Sequence, residues 1–191
     1  MIVNEYTVSA QIQLILYLIS NSGGLIHRSS DTRRSVTFLT INQFTGHIMR
    51  ICGVELKANE ANICLLEKNK ELYKIPDCRE RRLNLNDVNS RQALLDFQFV
   101  FNKLMEDYKV EKVVILQPHM KGKLAGSAVS FKLEAAICLL EELDVVLLSS
   151  AEVKASLSEH HLPVSFKETG LKHFQESAFK TAYSFLAPLQ L

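Results

Sequence analysis

The chain has 191 residues, of which 47% are hydrophobic and 23% are charged. This composition excludes a largely disordered chain, and the length is too short for two typical domains joined by a linker, so one soluble globular domain is expected. Lys and Arg number 22 and Asp and Glu 21, a net charge of +1, so any binding to nucleic acid depends on a local patch.

The first 48 residues differ in composition from the rest, because they contain no lysine, cysteine or proline. Their apolar run, Ile12–Ile19, is far shorter than the roughly 20 residues that span a bilayer, and no basic residue precedes it. It predicts neither a membrane span nor a signal peptide. We expect residues 1–48 to be an upstream extension, such as a misassigned start codon would add, that is disordered or loosely helical. The folded domain is predicted to occupy residues 49–187.

The four cysteines show no Cys-x-x-Cys pair and lie in apolar segments. This pattern predicts reduced, buried thiols in a cytoplasmic protein. Cys52 and Cys64 could face each other across the first hairpin, but the expected compartment argues against a disulfide between them.

From Met49 onward the chain shows regular elements. Arg50–Leu56 and Asn62–Leu66 are rich in β-formers and are separated by a plausible turn at residues 57–59, which predicts a hairpin. Asp77–Leu85 alternates weakly and predicts a third, edge strand.

A long amphipathic helix is predicted over Arg91–Lys109, because its apolar residues recur at intervals of three and four. Phe99 lies off this apolar stripe. Either it contacts a partner or the buried face of the helix is wide enough to include it.

Lys112–Leu116 and Val145–Leu148 are short continuous apolar runs, typical of strands that are covered on both faces. A helix running to Leu143 separates them, and a shorter one, Ala151–Ser158, follows. A strand, helix, strand order implies a right-handed crossover and parallel pairing.

The last helix is predicted to begin near a Thr169 cap and to stop at Pro188. Glu176, Phe179 and Tyr183 would share a face of this helix away from its apolar stripe. The stripe comprises Leu171, Phe174, Ala178, Ala182 and Phe185.

The predicted order, an antiparallel hairpin with an edge strand and then parallel strands joined by helices, resembles the ribonuclease H-like order. Ser127–Leu139 and Glu142–Lys154 resemble the corresponding stretch of the RuvC Holliday-junction resolvases. More closely, Met49–Leu186 resembles a bacterial family known as domain of unknown function 3010. The resemblance implies an α/β, ribonuclease H-like fold with a mixed sheet and flanking helices. The blocks that carry the closer resemblance are Cys52–Lys57, Phe101–Val110, Met120–Lys123, Phe131–Ala136 and Phe166–Lys172.

The resolvase resemblance also implies where catalytic residues would lie. Such enzymes place carboxylates on the first strand, the central strand and the last helix, because two divalent metals about 4 Å apart must be held there. By resemblance, Glu55 takes the first position, Gln117 the second, and Glu176 with Phe179 the third. An amide adds no charge and a phenylalanine binds no metal, so Glu55 and Glu176 are the candidate metal ligands, for Mg or Mn if catalysis survives.

Lys121, Gly122 and Lys123 are candidates for holding a phosphate, because free backbone N–H groups and side-chain charge meet at a helix start. Lys154, which ends the resolvase-like stretch, is a further candidate for nucleic-acid binding. These lysines also fit an ordinary solvated surface.

The three positions of the implied catalytic site have ordinary explanations as well. Glu55 can be a solvated strand end, Gln117 a strand-terminating residue before Pro118, and Glu176 part of a solvated helix face.

Two functions compete on these residues. The first is a divergent, non-catalytic module that binds nucleic acid or a protein partner through the former active-site cleft around Glu55, Gln117 and Lys121. The alternative is a Mg- or Mn-dependent endonuclease of structured nucleic acid that uses Glu55 and Glu176. A third, structural hypothesis is a homodimer formed through the Phe99 face.

Overall fold

The structure, a computed structural model, describes residues 48–123 and 125–189. The predicted extension lies outside these residues except for Ile48, so the extension and the domain boundary stay predictions. Within the described ranges, every helix falls short of the length and apolarity needed to cross a membrane.

A mixed sheet forms the centre of the fold. Strand β1 pairs antiparallel with β2 and parallel with β5, and β5 pairs parallel with β6, so the order is β3-β2-β1-β5-β6, with β4 also on β2. The hairpin and the parallel pairing that the sequence predicts are confirmed. The strands are β1 Met49–Lys57, β2 Glu60–Asn69, β3 Leu72–Lys74, β4 Arg82–Asn84, β5 Lys112–Leu116 and β6 Val145–Leu148.

The first two described helices begin at serine caps. The side chain of Ser90 accepts a hydrogen bond from the Ala93 N–H, and that of Ser127 accepts one from the Ser130 N–H. Such caps satisfy backbone N–H groups that have no partner inside the helix. The helices are α1 Arg91–Asp107, α2 Ala128–Cys138, α3 Ser150–Glu159 and α4 Glu176–Leu186.

Both faces of the sheet are covered. Helices α1 and α2 cover one face with a core that includes Phe101, Leu133 and Ile115, while α4 covers the other. The closest approach is at Gly53, where a Cβ would lie 2.1 Å from the carbonyl oxygen of Ala178. Only glycine lets α4 approach the middle of β1 this closely.

Two strand predictions near the hairpin are wrong. The predicted edge strand Asp77–Leu85 is a strand only over Arg82–Asn84, because its first half is a loop in which Arg81 bonds Asp77 at 2.8 Å. The turn is tighter than predicted, with Lys57 opposite Glu60. Cys52 therefore lies opposite Leu65 and packs on the α1 side, whereas Cys64 packs on the α4 side, so the two thiols do not face each other.

Two helix predictions also need correction. Helix α2 ends at Cys138 rather than Leu143, and α4 begins at Glu176 rather than near Thr169. Two short 3-10 turns precede α4, separated by Gly170 with φ +73°.

The prediction that Phe179 and Tyr183 lie on a face away from the apolar stripe is wrong. The stripe residues Ala178 and Ala182 are buried as predicted, but the buried face of α4 is wider than the stripe. Phe179 and Tyr183 are buried in the core beside Ala178 and Ala182. Glu176 lies on the same side of α4 as these two aromatic residues but remains partly exposed at the first turn, whereas they are covered.

Candidate functional site

A cleft of about 480 Å³ opens where β1 and β5 end. Because these strands are parallel and Glu55 pairs with Leu116, the residues that follow both strands meet at one edge of the sheet. Ligands of α/β proteins bind at this kind of edge. The polar and charged side chains that line the cleft belong to Glu55, Lys57, Gln117, His119, Ser127 and Ser130.

The carboxylate of Glu55 is bonded into a polar chain that crosses three strands. Asn62, opposite Glu55 in the hairpin, donates its amide N–H to Glu55 Oε2 at 3.3 Å. The oxygen of the same amide accepts from Arg82 Nε at 3.2 Å. The guanidinium of Arg82 in turn lies 4.1 Å from the ring centroid of Phe174. We call these three bonded residues, Glu55, Asn62 and Arg82, the polar relay.

The start of α2 forms one wall of the cleft. The Ser127 hydroxyl bonds the carbonyl of Ala58 at 3.2 Å and lies 2.9 Å from the Ser130 hydroxyl, which ties the helix to the hairpin turn. Gly126 precedes the cap, and a Cβ there would lie 2.6 Å from Pro118 Cβ. The backbone at the start of α2 is therefore fixed against the end of β5.

The loop between β5 and α2 carries the predicted phosphate-binding residues. Its base is closed by a bridge between His119 and Ala125, both of which line the cleft. Lys121, Gly122 and Lys123 lie between these two and are exposed, with Gly122 at φ +92°. The loop thus holds two ammonium groups at the rim of the cleft without placing them among its lining residues.

The start of α3 meets the same loop. His119 Nε2 lies 3.1 Å from the Ser150 hydroxyl, the first residue of α3. Lys154 is exposed one turn further along the helix. Residues four apart share a helix face, so Lys154 is on the side of α3 that bears Ser150.

The carboxylate of Glu176, at the start of α4, is bonded to neighbours on its own segment. It lies 2.7 Å from Lys180 Nζ and 3.3 Å from His173 Nδ1. The hydrogen bond from Lys180 lowers the pKa of Glu176, and the nearby charges act in the same direction. Glu176 is not among the residues that line the cleft.

The oxygen donors do not fit a two-metal site. In the cleft, the Glu55 carboxylate bonds Asn62 and the Gln117 amide adds no charge, while Mg²⁺ and its relatives need several oxygen ligands each. Among residues 48–123 and 125–189, no group of three His, Cys, Asp or Glu side chains could hold a metal ion.

The structure therefore joins some of the predicted site residues and separates others. Glu55 and Gln117 line one cleft, and the Lys121–Lys123 loop forms its rim, whereas Glu176 lies apart. Sequence reasoning missed His119 and the polar relay. A two-residue hairpin turn would have predicted the pairing of Glu55 with Asn62, but nothing local predicts that Arg82 reaches the same amide.

A family model described as a protein of unknown function (DUF3010) matches residues 49–185, and this confirms the family predicted from the sequence. A comparison with curated proteins gives no match. Among solved structures, Thermus thermophilus RuvC in complex with a Holliday junction substrate is similar, with 10% identity and a TM-score of 0.54 over 71% of this chain and 91% of that one.

A second structure of Thermus thermophilus RuvC is 12% identical, with a TM-score of 0.55 over 73% of this chain and 95% of the other. At such identities the likeness shows the fold alone. The fold is ribonuclease H-like, as the sequence predicts.

Proposed function

We propose that this chain, which belongs to the DUF3010 family, binds the sugar-phosphate backbone of nucleic acid in the cleft between β1, β5 and α2 without cleaving it. The observation that carries the proposal is the contrast between the interior of the cleft and its rim. Inside, the carboxylate of Glu55 is bonded to the polar relay. Lys57 also lines the cleft, Lys121 and Lys123 lie in the adjoining loop, and all three are exposed and basic.

The basic rim supports phosphate as the ligand. Three lysines lie in the lining or in the adjoining loop of a cleft whose lining acid already has a hydrogen-bond donor, and the N-terminal end of α2 adds the partial positive charge of a helix start. Such contacts hold phosphates regardless of base sequence. The RuvC structure bound to a junction makes nucleic acid a plausible ligand for the fold, which is an argument by analogy.

The relay supports a binding role over cleavage. A metal-dependent nuclease needs free carboxylate oxygens that face the scissile phosphate. Here Glu55 Oε2 accepts from Asn62, and Glu176 bonds Lys180 instead of facing the cleft. The alternative, a Mg- or Mn-dependent endonuclease using Glu55 and Glu176, requires Glu176 to leave Lys180 and to reach the cleft that Glu55 lines.

Binding is tested by fluorescence anisotropy with labelled branched, duplex and single-stranded DNA, and with single-stranded RNA, over a range of salt concentrations. We expect the logarithm of the affinity to fall linearly with the logarithm of salt concentration, by about 0.9 per phosphate contact on duplex DNA. Replacing Lys121 and Lys123 together by Gln is expected to reduce that slope by about 2. The matched control replaces Lys167 and Lys172, which are exposed and lie outside the cleft, and leaves the slope unchanged.

Two results would overturn the proposal. An absence of salt-dependent DNA and RNA binding would leave a protein partner as the ligand of the cleft. Metal-dependent cleavage of the branched substrate that is lost in Glu55→Ala would establish the nuclease. A rise in melting temperature on adding Mn²⁺, abolished by Glu55→Ala, would support the nuclease independently of the substrate chosen.

A further inference from the structure

The outer surface of α1 carries large apolar side chains in contact with solvent. Phe99 is 65% exposed, and Leu95 and Leu139 are 37% and 74% exposed. Gln98 Nε2 donates to the Ala136 carbonyl at 2.6 Å, so α1 and the C-terminal half of α2 lie side by side where these residues occur. Leu95 and Phe99 are four residues apart and share a face of α1, and we call these two residues the α1 patch. Apolar side chains gathered at one place on a surface mark an interaction site.

The charges around the patch alternate along α1. Arg91 and Asp96 precede Phe99, Lys103 and the adjacent acids Glu106 and Asp107 follow it, and all five charged residues are exposed. The order of charges is therefore positive, negative, Phe99, positive, negative. Read from the other end of the helix, each sign is reversed. A second copy of α1 that runs antiparallel meets an opposite charge at every position, whereas a parallel copy meets a like charge.

The spacing on the helix surface agrees with this pairing. Asp96 and Lys103 are seven residues apart, which is two helical turns, so they lie on the same flank. They are three and four residues from Phe99. A two-fold axis through Phe99 places Asp96 of each copy beside Lys103 of the other copy, so this charge pair occurs twice in the interface. An interface between identical copies requires this kind of self-complementarity.

We propose that the chain forms a homodimer in which two α1 helices pack antiparallel, with Phe99 at the two-fold axis. In one copy alone, Lys103 bonds Glu106 at 2.5 Å and Gln92 bonds Asp96 at 2.8 Å. These are exposed pairs within one helix, which stabilise the chain little and can exchange partners at low cost. The interface leaves the cleft free, so it does not depend on the proposed function.

Sedimentation velocity of the full chain over a dilution series tests the dimer. We expect a dimer for the unmodified chain and a dissociation constant at least about tenfold higher for Phe99→Asp, because a central aromatic residue of an interface is commonly a hot spot. The matched control is Val100→Asp. Val100 is 45% exposed on another flank of α1 and is expected to leave the dimer unchanged. A monomer at every concentration, or a Phe99→Asp dimer as tight as the unmodified one, would overturn the proposal.

Charge exchange tests the antiparallel orientation. Asp96→Lys alone and Lys103→Asp alone are each expected to weaken the dimer severalfold, because like charges then face each other across the axis. The double variant Asp96→Lys, Lys103→Asp restores opposite charges and is expected to dimerise like the unmodified chain. If the single variants dimerise normally, or if the double variant does not recover, the antiparallel arrangement is wrong.

Discussion

The two ends of α4 are attached to the sheet in opposite ways. At its C-terminal end, Lys68 is buried and its ammonium donates to the carbonyls of Leu186, Ala187 and Leu189 at 3.0, 3.2 and 2.5 Å. At its N-terminal end, the partly exposed Arg82 stacks on Phe174 and joins the relay to Glu55.

The difference between the two ends of α4 indicates that one end stabilises the fold and that the other is available for binding. A buried charge with all its donors used holds α4 in place, because the carbonyls at a helix end otherwise lack partners. A charge near the surface stabilises little but remains available to a ligand. We call the C-terminal end of α4 the closed end and its N-terminal end the open end. We expect substitutions at the closed end to change the free energy of unfolding, and substitutions at the open end to change binding.

The largest loss of stability is expected from a substitution at Gly53, which lies against α4 between its two ends. Gly53→Val places a Cβ 2.1 Å from the Ala178 oxygen and 2.8 Å from Ala182 Cβ, so α4 must move away from β1. We expect a loss of about 3 kcal/mol or more in the free energy of unfolding, measured by urea denaturation. The control Ala155→Val, on an exposed position of α3, is expected to cost less than about 1 kcal/mol. A small cost at Gly53 would show that α4 is not closely packed on the sheet.

Lys68→Met ranks next and tests the closed end. It keeps the length of the side chain but leaves three carbonyls without their donor, so we expect a loss of about 2 to 4 kcal/mol in urea denaturation. Lys167→Met, on an exposed position, serves as the control and is expected to have little effect. Equal stability of the two variants would remove the distinction between the ends of α4.

The strands of the centre could be predicted from the sequence because apolar runs are local signals. Strands β5 and β6 have the bounds that the sequence predicts, Lys112–Leu116 and Val145–Leu148. The hairpin turn was placed across residues 57–59 instead of between Lys57 and Glu60. Since side chains alternate along a strand, a shift of one residue exchanges the two faces, so Cys52 and Cys64, which could have faced each other, lie on opposite sides of the sheet as free, buried thiols.

The candidate site could be predicted only in part, for a related reason. Glu55 and Gln117 follow apolar runs, so their place at the strand ends is visible in the sequence. The bond from Arg82 to Asn62 spans 20 residues, and that from Gln175 to the Ile63 carbonyl spans 112. Such bonds depend on the assembled sheet, and no periodicity encodes them.

Glu55→Gln tests the open end through binding. The variant keeps an oxygen that accepts from Asn62, so the free energy of unfolding should change by less than about 1 kcal/mol. Removing a negative charge from the cleft should raise the affinity for DNA about threefold at low salt. Glu159→Gln, which removes an exposed carboxylate outside the cleft and outside the polar relay, is the control. Lower affinity in Glu55→Gln would indicate that the carboxylate contributes directly to binding.

The smallest effect concerns Glu176, whose folded-state pKa is lowered by the hydrogen bond from Lys180. A carboxyl with a lowered pKa stabilises the fold above its unfolded pKa of about 4.3, and this contribution is lost as the pH falls through the folded value. Glu176→Gln should therefore cost a few tenths of a kcal/mol at neutral pH, and the difference should be smaller at pH 3, below the unfolded pKa. Urea denaturation at both pH values measures it, with the exposed Glu141→Gln as the control. A difference that is equally large at pH 3 would mean that Glu176 acts through packing rather than through its charge.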